Sequence, residues 1–83
     1  MQHLETVKNV LCNVLSITDR KDSLTEDSVL LGNIPELDSM AVVNIITALE
    51  EHLDIIIEDD EISAENFETL GKLTQFVENK LAE

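Results

Sequence analysis

Eighty-three residues make one small domain, residues 1–83, and a chain of this size buries only about 60% of the surface its unfolded form exposes. An apolar content of 43% excludes a disordered acidic tail. A net charge of −13, from 18 acids and 5 bases, excludes a phosphate-gripping face for nucleic acid and disfavours anionic membrane. The partners expected of such a surface are proteins with basic faces, drawn in by electrostatic steering. One cysteine gives no internal disulfide, and Cys12, His3 and His52 lack zinc-ligand spacing, so the chain folds on apolar packing alone. The opening residues, "MQHLETVKN", contain no signal-peptide core, and no run approaches the roughly 20 apolar residues of a membrane span. The expectation is a monomeric cytoplasmic protein without membrane insertion.

The first apolar set, Leu4, Val7, Leu11, Val14 and Leu15, lies on one face of a helix running from near residue 3 to Ile17. Cys12 falls on the flank of that face and reads as packing, since no base or histidine partners it. "TDRKDS" breaks the pattern and opens a long connection, residues 18–38. It holds the apolar residues Leu24, Val29, Leu30, Leu31 and Ile34, and its leucines are expected to plug it onto the core. A connection this long in a compact domain is often functional.

The second helix reads "SMAVVNIITALEEHL", Ser39 to Leu53. At about 100° per residue, Val42, Ile46, Leu49 and Leu53 form the predicted core stripe. Met40, Val43, Asn44, Thr47 and Glu51 gather on a second face, which is either further core or a surface for a partner. Ile55, Ile56 and Ile57 follow as an extended linker with buried isoleucines, and Glu58–Glu61 as a solvated charge run without a calcium-loop pattern. Ser63 is expected to cap a short third helix, "AENF". Thr69 is expected to cap a fourth, in which Leu70, Leu73, Phe76, Val77 and Leu81 share a face. Gly71 lies in the first turn of that helix, where its poor propensity matters less. Three longer helices and one short one, without strands, bury these stripes as an all-α four-helix bundle.

No catalytic constellation is present. Ser39 and His52 stand at opposite ends of the second helix, about 20 Å apart at 1.5 Å rise per residue. No GxSxG, P-loop or dinucleotide fingerprint occurs, so the chain reads as non-catalytic. The residue that stands out is Ser39, behind Asp38. Either side chain suits the helix cap. A hydroxyl at a helix N-terminus is also a place where an attached anionic group would meet unpaired N–H groups and a positive dipole end.

"LDSMAVVNIITALEEHL" resembles the modification segment of the acyl carrier protein family, and "FETLGKLTQFV" resembles the family's closing segment. The resemblance spans essentially all 83 residues. It implies a four-helix bundle of acyl-carrier type, in which Ser39, flanked by Asp38 and Met40, carries covalent 4′-phosphopantetheine. It implies that acyl intermediates ride on that arm as thioesters. The alternatives are an aminoacyl or peptidyl carrier, or an unmodified acidic helical adaptor. The implied partners are a phosphopantetheinyl transferase and acyl-loading and acyl-using enzymes. They would dock on Met40, Val43, Asn44, Thr47, Glu50 and Glu51, and apolar cargo would enter between helices near Ile46, Leu49 and Leu73. The sequence departs from the family in its longer run from Gly32 to Asp38. It departs also in having Ala41 and Asn44 where housekeeping carriers tend to have carboxylates. "PELDSMAVV" and "DDEISAENFETLG" resemble stand-alone carriers encoded with bacterial exosortase and exopolysaccharide systems.

Overall fold

The computed structural model describes residues 2–82. Its α-helices are α1 (Leu4–Leu15), α2 (Ser39–Leu53) and α3 (Leu70–Leu81), with 3-10 turns at Thr18–Ser23, Asp59–Glu61 and Ala64–Phe67. This is the expected all-α bundle: "AENF" is the short third helix, in 3-10 form, and α3 is the fourth. α1 packs against both α2 and α3.

α1 stops two residues earlier than its periodicity suggests. Ser16 takes a left-handed conformation (φ 58°), and the Ile17 N–H donates to Cys12 O at 2.9 Å, which closes the helix. Ile17 is nonetheless buried, turned onto the core by that cap. The buried face of α1 is Val7, Val10, Leu11, Cys12 and Leu15, while Leu4 and Val14 are only half-buried. Cys12 is core, as its flank position suggested, and burial pushes its thiol pKa up.

The long connection is tied down by backbone hydrogen bonds that no side-chain pattern announces. Leu30 N–H donates to Glu68 O (2.9 Å) and Leu31 N–H to Phe67 O (3.0 Å). In return, Leu70 N–H donates to Ser28 O (3.0 Å) and Gly71 N–H to Glu26 O (2.8 Å), around an antiparallel bridge between Val29 and Thr69. Gly71 is what permits this approach. A Cβ there would lie 2.8 Å from Glu26 O, against backbone that cannot swing aside. Of the leucines expected to plug the connection onto the core, Leu30 does so and Leu24 is half-buried, and Ile34 and Leu37 are buried with them. Val29 and Leu31 are exposed, because the strand-like ladder turns them away from the interior.

Two further expectations are corrected. Ile57 is buried and Ile55 half-buried, but Ile56 is 73% exposed, since an extended segment alternates its side chains. Ser63 precedes the Ala64–Phe67 turn without a side-chain cap bond, whereas Thr69 Oγ1 accepts from Lys72 N–H (3.1 Å) as expected. The acidic run after Ile57 is partly engaged: Glu61 pairs with Lys80 at 2.8 Å and its other oxygen accepts from Glu58 N–H. Lys80, followed by the Glu58 N–H, holds the Glu61 carboxyl below its ordinary range.

Candidate functional site

Asp38 and Ser39 compete for one cap, and Asp38 takes it. Its backbone is extended (φ −110°, ψ −175°), and Oδ1 accepts from Ala41 N–H at 2.8 Å. Ser39 becomes the first helical residue. It is exposed, and its hydroxyl makes no hydrogen bond among the described residues. The local reading of Ser39 as the cap is thus replaced, and the hydroxyl is left accessible at the positive end of a 15-residue helix.

Beside it opens a groove of about 550 Å³. Asp38, Ser39, Val42 and Val43 form one wall, Ile62, Ser63, Ala64 and Phe67 the other, and Leu31 of the connection closes the end. Its surface is mostly hydrocarbon. Ile46, Leu49 and Leu73, the residues near which the resemblance puts cargo entry, are all buried, and none lines this groove. The groove lies at the seam between α2, the end of the long connection and residues 62–67.

α2 also presents its faces differently from the predicted wheel. Ala41, Ile45, Ile46 and Leu49 are its buried residues. Val42 and Leu53, assigned to the core, are half-buried, and Val42 belongs to the groove. The second face is solvent-exposed: Met40 at 67%, Val43 at 54%, with Asn44, Thr47 and Glu51 beside them. Glu50 stands apart from that face. It is half-buried, and Oε2 accepts from Ile57 N–H at 2.9 Å, tying the end of α2 to the following segment. From Ser39 through Leu49 the helix carries no charged residue, so Asp38 is the one charged side chain among the described residues that lines the groove beside the hydroxyl. His52 is exposed at the far end of α2, away from Ser39. Among the described residues no group of His, Cys, Asp and Glu could hold a metal ion.

Sequence reasoning missed Leu31, Ile62, Ala64 and Phe67 as walls of one groove. Leu31 and Ile62 lie on irregular segments, and Ala64 and Phe67 on a 3-10 turn too short for a periodicity to group them. It also missed that Arg20, in the first 3-10 turn, pairs with Glu36. The Glu36 backbone N–H and then the Arg20 guanidinium hold the Glu36 carboxyl below its ordinary range.

Residues 5–77 match the family described as "Phosphopantetheine attachment site". The acyl carrier protein of Sulfurovum sp. (strain NBC37-1) is 37% identical over 79 residues, covering 95% of this chain and 99% of that one. An acyl carrier protein of Clostridium perfringens is 30% identical over 73 residues, covering 88% and 90%. The solution NMR structure of a holo acyl carrier protein from Nitrosomonas europaea superposes with a TM-score of 0.93 at 66% identity, covering all of both chains. An accessible hydroxyl at a helix N-terminus, an apolar groove beside it and these relatives agree: the chain belongs to the acyl carrier proteins, the family of phosphopantetheine-bearing carriers.

Proposed function

We propose that Ser39 Oγ is the attachment point of 4′-phosphopantetheine and that the chain is a non-catalytic carrier of aliphatic acyl groups. The observation that carries this reading is the division of labour at the start of α2. Asp38 caps the helix through Oδ1, so Ser39 Oγ has no structural duty. The residues present fit the group. The hydroxyl is exposed, and the N–H groups and dipole of the first turn favour an anionic phosphodiester at that position. When bound, the group supplies a terminal thiol that holds cargo as a thioester. Leu31, Val42, Val43, Ile62 and Phe67 supply the apolar walls that shelter a hydrocarbon chain from water. Such walls suit an acyl chain better than a charged aminoacyl group.

The modifying enzyme in this reading is a phosphopantetheinyl transferase, and the users are acyl-loading and acyl-using enzymes. Any of them must come within bonding distance of Ser39 or its arm and so lies over Met40 and Val43, one and four residues on. Asn44, Thr47 and Glu51 extend the same face, while Glu50 is turned towards Ile57. Covalent tethering raises the effective concentration of cargo at whichever enzyme docks, so weak, rapidly exchanging contacts suffice.

Co-expression with a broad-specificity phosphopantetheinyl transferase, followed by intact mass measurement, tests the reading. The wild type gains one phosphopantetheine increment and Ser39→Ala gains none. A wild type that is never modified, or a Ser39→Ala that still is, contradicts it.

A further inference from the structure

The backbone ladder that fixes the long connection ends at Leu31. Beyond it, the chain runs from Gly32 to Asp38 with only local backbone bonds: Asn33 and Ile34 to Leu30, Leu37 to Ile34, Asp38 to Glu36. Ile34 and Leu37 anchor the segment to the core by burial, a force that is itself non-directional. Among the described residues, one polar contact joins residues 32–38 to a distant part of the chain. It is the ion pair between the Arg20 guanidinium and Glu36 Oε2, two residues before the cap.

Arg20 is itself held in place. Its N–H donates to Ile17 O at 2.8 Å, and its carbonyl accepts from Ser23 Oγ at 2.7 Å. Its neighbour Lys21 pairs with Glu5 of α1 at 2.8 Å. Adjacent cations therefore reach in two directions, one to α1 and one to the approach to α2. Arg20 is also the only arginine in the chain.

We propose that Arg20 is a positioning residue for Ser39: through Glu36 it fixes the Gly32–Asp38 corner relative to α1, so that the hydroxyl is presented in one orientation to the modifying enzyme. The proposal rests on Ser39 being the attachment site. An exposed pair of this kind is weak, and its loss changes populations by a factor of about two to five. That is small against global stability, but it acts in full on the fraction of molecules whose corner is correctly set.

The test measures transfer of phosphopantetheine from coenzyme A by a broad-specificity transferase, with kcat and KM determined separately, at about 0.05 M salt, where screening is modest. The variants are Arg20→Gln, Glu36→Gln and the charge swap Arg20→Glu/Glu36→Arg. Each single variant should raise KM about two- to five-fold with kcat near wild type, and the swap should return KM towards the wild-type value. Backbone amide signals of Gly32–Ser39 should broaden or shift in the single variants and recover in the swap. Direct contact of either side chain with the enzyme predicts the opposite for the swap, a KM worse than either single variant, and that result overturns the proposal. Single variants with wild-type KM and unchanged amide signals overturn it equally. A wild type that accepts no phosphopantetheine at all would instead refute the assignment of Ser39, a separate outcome.

Discussion

At the scale of single residues, the account turns on two neighbours with different duties. Asp38→Ala removes the cap and should lower stability by about 1 kcal/mol. Ser39→Ala should leave it unchanged within a few tenths, since the serine caps nothing. Urea unfolding of the two variants checks this ordering, and equal losses would return Ser39 to a structural role. Gly71 gives a second contrast. In an open helix Gly→Ala stabilises by up to about 1 kcal/mol. Here the added methyl would meet Glu26 O, so Gly71→Ala should destabilise by roughly 1–3 kcal/mol. The serine's alternatives were legible in the sequence, but the choice between them was not, because Asp and Ser are equally good caps. The need for Gly71 was invisible for another reason. It depends on a carbonyl 45 positions away, and nothing in a local pattern registers that.

At the scale of elements, the bounds of α2 were readable because a capping acid meets an apolar periodic run at a sharp junction. Its rotation was less readable. The helix is apolar on more than one side, so Val42 and Ile45 compete for the interior. The packing of α1 and the connection decides for Ile45, which is fully buried. The expectation follows that Val43→Asp folds normally, because its side chain is half in solvent, whereas Ile45→Asp does not fold. Val43→Asp should also cut the rate of modification by placing an unpaired charge in the enzyme contact. Charge reversal at Glu51, 12 residues from Ser39, should act more weakly, through the on-rate, and most visibly at low salt. Thermal melting and transfer kinetics of the three variants together check these assignments. The connection was the least legible element. Its apolar residues were visible, but its ladder to residues 67–71 is made of backbone groups, which every residue has, so Leu31 was placed inside when it faces out.

At the scale of the whole molecule, charge opposes compaction. All five basic side chains are paired with acids, Lys8 and Lys21 sharing Glu5. Most of the 18 acids are thus left to repel one another across a small surface. Added salt or magnesium should raise the melting temperature, since screening at about 0.1 M acts over about 10 Å. A melting temperature indifferent to both would mean that the five pairs already balance the repulsion locally. Composition made this expectation available without a structure, as apolar periodicity did the four-helix class. The groove could not be foreseen, because it exists only where the long connection and residues 62–67 converge on α2. The claim on which the rest depends is that this groove is served by Ser39. Peptide-level fragmentation of the protein after reaction with coenzyme A and a phosphopantetheinyl transferase tests it most directly. The account predicts one modified peptide, with the phosphopantetheine localised to Ser39 and the other serines untouched. Localisation to Ser16, Ser23, Ser28 or Ser63, or an unmodified Ser39 in a reaction that has gone to completion, would contradict it.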